Sequence, residues 1–471
     1  MEKLSFPKGF IWGAATSAIQ IEGSPTADGK GPSVWDSFCK EHPERIYQRE
    51  SPEIACDHYK GFREDARLVK ELGHNGYRLS ISWPRLFPEG AGTFNAKGAA
   101  FYDELFDELL KNGIEPNVTL YHWDLPLALA DKGGWENPET IEAFVNYAEK
   151  CFSLYGDRIK LWSTLNEPAW TTLNGYVTGL HPPCKTDYRA ALQVSANFLS
   201  AHARVVQTFR ALKLNGKIGI ALNLSPVFPA SQSFEDVEAA ALADAVLNKW
   251  FSQPVLTGGF PKEATNLYNK EGLFPHFEDS DFSLLNRNDL VDFVGVNYYY
   301  PHYATSDAKE TAFHLNITGD KNESCLFSIA GLFRFVKNPT GTYTEWAWEI
   351  APEVLYQLLK SVHLQRPGLP IYVTENGIGR DETLENGTVD DQERINFVKL
   401  HLEAIYKAIT EDVDVKGYYM WSLMDNFSWI NGFKKRYGFL FVDRKTLKRY
   451  PKKSAYWYKK VAADNGLAAG Q

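Results

Sequence analysis

Short apolar runs alternate with longer amphipathic stretches along the whole chain. The runs cover residues 10–16, 77–83, 116–124, 159–168, 218–223, 293–299, 370–377 and 417–423. They are rich in β-branched and aromatic residues and show little polar alternation, the pattern of strands buried on both faces. Between them, apolar positions recur at helical spacing. Residues 57–72 place Tyr59, Phe62, Ala66, Val69 and Leu72 on one face, and Gly73 ends the stretch. Further helices are predicted over 101–110, 141–155, 190–212 and 237–251. Strands interleaved with helices in this rhythm predict the α/β class and a (β/α)8 TIM barrel. No Pro/Gly/Ser-rich linker divides the chain, so residues 1–471 read as a single barrel domain with loop insertions. Residues 306–343 lack clear periodicity and read as a long insertion shaping the barrel mouth.

Composition narrows the classes. At 471 residues and 44% hydrophobic, the chain can bury a large core. Its formal net charge of −9 argues against general affinity for nucleic acid or an anionic membrane. No apolar run reaches transmembrane length, and the start, Met1-Glu2-Lys3-Leu4-Ser5-Phe6-Pro7, has no signal-peptide core. The cysteines Cys39, Cys56, Cys151, Cys184 and Cys325 are odd in number and widely spaced, and none forms a C-x-x-C pair. A reducing, cytoplasmic setting without disulfides or zinc is expected. His122 stands alone as a potential ligand, so no metal and no organic cofactor is expected. The 13 Trp and 24 Tyr offer flat faces of the kind carbohydrate sites use, although most must be core.

Two carboxylates stand out. Glu375 follows Pro370-Ile371-Tyr372-Val373-Thr374 at the carboxyl end of the predicted seventh strand, and Asn376-Gly377 turns the chain away. Glu167 stands in Asn166-Glu167-Pro168 at the end of the fourth. A barrel gathers these ends around one pocket. Either Glu alone could be a structural ion pair. Two facing each other are what glycoside hydrolysis requires: one protonated to serve the leaving oxygen, one ionised to attack the sugar carbon. Arg78, on the second strand, is a candidate to keep the nucleophile ionised. Asn166 could orient the sugar's 2-hydroxyl.

Four segments together resemble glycoside hydrolase family 1, the β-glucosidase-like retaining enzymes, over essentially the whole chain. They are Phe10-Ile11-Trp12-Gly13-Ala14-Ala15-Thr16, Thr164-Leu165-Asn166-Glu167-Pro168, Thr374-Glu375-Asn376-Gly377 and Trp421-Ser422-Leu423-Met424-Asp425-Asn426. The resemblance implies that Glu167 is the acid/base and Glu375 the nucleophile. It implies that Gln20, His122, Asn166 and Trp421 surround the glycone, that Asn297 lines the site, and that Tyr299 touches the nucleophile. Retention of configuration implies carboxylates about 5 Å apart.

The chain departs from that family at one point. Typical members read Asn-Phe-Glu-Trp after the Trp421 segment, and that Glu binds the sugar's 4- and 6-hydroxyls. Here the run is Asn426-Phe427-Ser428-Trp429, followed by Lys434-Lys435-Arg436-Tyr437-Gly438. A carboxylate is lost, and a hydroxyl, an ammonium and a phenol stand near, a set suited to a phosphate dianion. Ser428, Lys435 and Tyr437 resemble the phosphate-binding set of the 6-phospho-β-glycosidase branch. Trp429 resembles members of that branch that accept 6-phosphogalactosides. The expected partner is therefore a small phosphorylated β-glycoside, with no nucleic acid and no membrane; the oligomeric state stays open, a homodimer among the possibilities. Two alternatives remain: a β-glucosidase or β-galactosidase on unphosphorylated sugars, with residues 434–436 a solvated surface run, or a non-catalytic sugar-binding domain.

Overall fold

In the computed structural model, which describes residues 3–314, 316, 318–320 and 326–468, eight parallel strands close into a barrel. They are β1 (Ile11–Ala15), β2 (Gly76–Ser80), β3 (Glu115–Tyr121), β4 (Leu161–Asn166), β5 (Lys217–Asn223), β6 (Phe293–Asn297), β7 (Ile371–Asn376) and β8 (Val415–Trp421). Each pairs with its successor, and β8 closes on β1, with Trp421 opposite Ala15. The α/β barrel read from the alternation is the fold observed.

The period of two within the strands sorts side chains to the two faces. Tyr419 and Trp421 on β8 join Ala15, Leu161, Phe293 and Tyr372 in a compact cluster capped by Tyr437, whereas Tyr418 and Met420 join the larger core. That second core lies beneath the helices. His58–Glu71 buries Phe62, Ala66 and Val69 on one stripe, and Gly73, at φ 77°, ends it in the left-handed region. Gly13, opposite Gly76 in register, is what admits the Tyr419 ring: a Cβ there would stand 2.4 Å from it.

Most strands end earlier than their apolar pattern. β2 stops at Ser80, and Trp83–Leu86 is a helical turn, because Pro84 has no N–H for a ladder. β3 stops at Tyr121, two residues before Trp123 turns to φ 75°. β4 stops at Asn166, and Glu167 takes φ 49°. The apolar residues beyond each strand pack over the barrel mouth instead of extending the sheet.

Two other expectations change. The predicted helix 237–251 is interrupted: Phe234–Asp244 is helical, Ala245–Lys249 is a π turn, and Trp250–Leu256 resumes. The aperiodic stretch 306–343 contains β structure. Ala312–His314, Leu326–Ile329 and Phe333–Val336 join His302–Thr305 and Val227–Pro229 in a five-stranded sheet. Its short strands are only three or four residues long, too few for periodicity to register. Cys325 lies outside the described residues. Cys39, Cys56, Cys151 and Cys184 are free thiols. No helix among the described residues is long and apolar enough to cross a membrane.

Candidate active site

At the carboxyl ends of the strands lies a cavity of about 130 Å³, lined by side chains from β3 to β8 and from the loops that follow them. Glu167 and Glu375 both line it, and among the described residues they are its only acidic side chains. Both are nearly sealed from solvent, at 6% and 3% exposed.

Their settings differ. Arg78 Nη1 donates to Glu375 Oε1 at 2.5 Å, and the Tyr299 hydroxyl donates to Oε2 at 2.8 Å. Glu167 accepts one bond, from Asn297 Nδ2 to Oε1 at 2.8 Å. Burial pushes the Glu167 carboxyl up to about 8, and the Glu375 charge adds to the push. Burial raises Glu375 as well, but the charge and hydrogen bond of Arg78 and the bond from Tyr299 oppose it, and the nearby Asn297 amide adds to them. One carboxyl is therefore left to hold a proton, while the other is surrounded by donors that favour its ionised form.

A hydrogen-bond net fixes these groups. Arg78 Nη2 donates to Asn166 Oδ1 at 2.6 Å, and Asn297 Nδ2 reaches the same oxygen at 3.0 Å. Thr374, just before Glu375, donates to Asn297 Oδ1 at 2.7 Å and so sets which way that amide faces. Asn166 Nδ2 donates to His122 Nε2 at 3.1 Å, which leaves the proton of a neutral imidazole on Nδ1. Burial and the Arg78 charge hold His122 well below the usual histidine range, so it is neutral. Glu167 itself sits in the left-handed region ahead of Pro168, a backbone cost of roughly 1–3 kcal/mol that turns its side chain into the cavity.

The floor is built by the segment after β8. Ser428, Lys435 and Tyr437 all line the same cavity as the two Glu and are buried. Lys435 lies with Nζ 3.4 Å from the centroid of the Trp348 ring and 5.1 Å from that of Trp346. Residues 434–436 are not a solvated run. Lys434 stands 3.8 Å from Asp381, Lys435 turns inward, and Arg436 donates to Asp425 at 3.0 Å. Behind the floor, Arg394 donates to the carbonyl oxygens of Arg436 and Tyr437 at 3.0 and 3.2 Å, and Gly438 N donates to Asp425 at 2.9 Å.

The cavity brings together His122, Asn166, Asn297, Tyr299, Trp421 and Trp429. Trp421 stacks on His122, and Trp429 is wedged between Trp35 and Trp123 with ring centroids 4.5 Å from each. Gln20 is buried and is not among the residues that line the cavity; Nε2 donates to the Phe427 carbonyl at 2.7 Å and to Asn426 Oδ1 at 3.4 Å, and Oε1 accepts from Ser17 at 2.6 Å. It holds the loop that carries Ser428. Sequence reasoning missed Asn174, Asn223, Tyr300 and Trp348, which also line the cavity. Asn223 ends β5, so the strand-end rule that found Glu167 would have found it; Trp348 lies in the loop beyond the aperiodic stretch 306–343, where no such rule applies. Asn174 Nδ2, Asn223 Oδ1 and His122 Nδ1 are buried without hydrogen-bond partners among the described residues, as expected of groups reserved for a polyhydroxylated ligand. Among the described residues no cluster of His, Cys, Asp and Glu could hold a metal ion.

The family model described as Glycosyl hydrolase family 1 matches residues 2–467. The chain is 42% identical over 470 residues to Beta-glucosidase A of Acetivibrio thermocellus, covering 99% of this chain and 100% of that protein. It is 41% identical over 470 residues to 6-phospho-beta-galactosidase of Clostridium acetobutylicum, covering 98% of each. Among solved structures, the Family 1 b-glucosidase from Thermotoga maritima superposes with a TM-score of 0.90 at 40% identity, covering 99% of this chain and 100% of that one.

Proposed function

The chain belongs to glycosyl hydrolase family 1, and from that premise we propose that it is a retaining 6-phospho-β-glycosidase, its whole length serving as one catalytic domain. Overall identity does not separate phosphorylated from plain substrates, because relatives named for each stand at 41% and 42%. The reading rests on one observation: Ser428, Lys435 and Tyr437 line the cavity that also holds Glu167 and Glu375, and among the described residues no third carboxylate lines it. A phosphate dianion at the sugar's C6 would find an ammonium and two hydroxyl donors, with no acidic side chain among them.

The chemistry follows from the two carboxyls. Glu375, ionised against Arg78, attacks the anomeric carbon while protonated Glu167 gives its proton to the departing oxygen. The resulting glycosyl ester has lost the Glu375 charge. With that charge gone, one of the two forces raising Glu167 disappears, and its proton affinity falls. Glu167 then accepts a proton from water, which attacks the same carbon and restores Glu375. Two inversions give net retention.

Trp429, rigid between two indoles beside Ser428, leads us to read 6-phosphogalactosides as preferred and 6-phosphoglucosides as also accepted. Such substrates would come from an uptake system that phosphorylates sugars on entry, which puts the enzyme in the cytoplasm. A second reading, hydrolysis of unphosphorylated β-glucosides, is favoured by the β-glucosidase relatives. One assay separates them: turnover of a nitrophenyl β-glycoside with and without a 6-phosphate. The proposal expects kcat/KM to be larger for the phosphorylated compound by about a hundredfold or more, and equal or better turnover of the plain compound overturns it.

A further inference from the structure

Residues 377–380 leave β7 and run across the floor. Arg380 N donates to the Arg436 carbonyl at 2.8 Å, and Arg436 N donates back to Arg380 at 2.9 Å. This antiparallel bridge sets Gly379 against the two residues that flank Arg436, namely Lys435 and Tyr437. Gly379 is buried, and its contacts there are with side chains of the floor. A Cβ at 379 would stand 2.5 Å from Lys435 Cγ, 2.8 Å from Lys435 Cε and 3.0 Å from Tyr437 Cζ.

Two contrasts sharpen the point. Gly377, two residues earlier, is barred from a side chain by backbone: its Cβ would lie 2.0 Å from the Trp421 carbonyl oxygen. Gly379 meets no backbone so closely, and its φ lies outside the left-handed region, so alanine is conformationally permitted. The far end of Lys435 is also engaged, with Nζ 3.4 Å from the Trp348 ring centroid. A methyl group at 379 therefore presses on the stem of Lys435 and the ring of Tyr437, not on backbone.

We propose that Gly379 is a specificity-determining residue: its missing side chain is the slot through which Lys435 and Tyr437 reach the 6-phosphate. The inference rests on the phosphosugar reading above. A methyl in the slot displaces both phosphate donors while Glu167, Glu375 and Arg78 keep their places, so the defect falls on recognition of the phosphate.

The test is a double-mutant cycle of Gly379→Ala and Lys435→Met, each variant assayed on a nitrophenyl β-galactoside with and without a 6-phosphate, with thermal melts as a folding control. Gly379→Ala should lower the ratio of the two kcat/KM values by about tenfold or more, mainly through KM. In the Lys435→Met background the same substitution should change the ratio by less than about threefold, because the ammonium is already gone and only the Tyr437 hydroxyl is left to displace. A wild-type enzyme that prefers the phosphorylated compound, with a ratio that Gly379→Ala leaves intact, overturns this inference alone. So does a full effect of Gly379→Ala without Lys435. A wild-type enzyme with no preference overturns the phosphosugar reading and this inference with it.

Discussion

Arg78 on β2 holds Nη1 2.5 Å from Oε1 of Glu375 on β7, with β8 and β1 lying between the two strands. This contact favours the ionised form of a buried carboxyl against the cost of its own desolvation. Arg78→Met removes the charge and the bond, so the Glu375 carboxyl rises further. The expected result is a kcat/KM lower by about a hundredfold or more, with the acid limb of the pH profile moved to higher pH. An acid limb that stays in place would show that Arg78 does not set the Glu375 proton affinity.

The two carboxyls predict a bell-shaped profile of kcat/KM against pH. Its alkaline limb lies near the value of about 8 to which burial and Glu375 push Glu167, since activity needs that proton. Its acid limb lies above the ordinary glutamate range, where Glu375 becomes protonated. In Glu375→Gln the neighbouring charge is absent, so Glu167 should titrate at lower pH. Carbon NMR of labelled glutamate carboxyls in that variant measures it directly, and an unmoved Glu167 contradicts the coupling.

Removing the acid and removing the nucleophile should leave different signatures. Glu167→Ala is expected to cost about 10²–10⁴ in rate on substrates with poor leaving groups. Nitrophenolate leaves without a proton, so the first step on nitrophenyl glycosides should suffer far less, and azide should restore turnover by replacing the activated water. Glu375→Gln should abolish turnover of both substrate types. Equal losses in Glu167→Ala on good and poor leaving groups would assign Glu167 another role.

Lys435→Met keeps the length of the side chain and removes its charge. KM for a 6-phosphorylated substrate should rise by about tenfold to a hundredfold, and the salt dependence of kcat/KM should weaken. Turnover of the plain glycoside should barely change. Steady-state kinetics at two ionic strengths reads both effects, and loss of activity on both substrates alike counts against a phosphate role.

Stability should depend on a second buried carboxyl far from the site. Asp65 accepts from Arg449 Nε and Nη2 at 2.8 and 2.9 Å and lies 2.7 Å from His58 Nδ1. Burial alone would raise its carboxyl, but His58 and Arg449 carry it below the ordinary aspartate value. A depressed carboxyl stabilises the fold fully above its unfolded value of about 3.9 and loses that contribution as pH falls through the folded value. Asp65→Asn should therefore cost about 3 kcal/mol at neutral pH, and the gap should narrow below about pH 3.9. Denaturant titrations on either side of that pH check the sign.

How much of this could be read from the chain differs from residue to residue. Glu167, Glu375 and Arg78 were legible because each ends or sits within a strongly apolar strand, where a charge has to be answered by a function or a partner. The strand ends themselves were not. Residues such as Trp83 and Trp123 continue an apolar pattern after the backbone has left the sheet, because the barrel mouth is as dry as its wall. The bond from Gln20 to the Phe427 carbonyl was not legible either, because it joins segments 407 residues apart that no local pattern connects.

By itself the sequence determined the barrel and the two strand-end carboxyls, since hydrophobic period and residue chemistry are local properties; the serine at 428 carried meaning only through the family resemblance. The tertiary structure decided what a local pattern cannot hold. It gave Glu375 two donors and Glu167 one, which separates their protons. It turned Lys435 out of a basic surface run and onto the indoles of Trp346 and Trp348. It set Gly379 against the lysine stem, where the absence of one carbon atom matters. Each of these depends on distances between segments far apart in the chain, and those distances exist only once the barrel has closed.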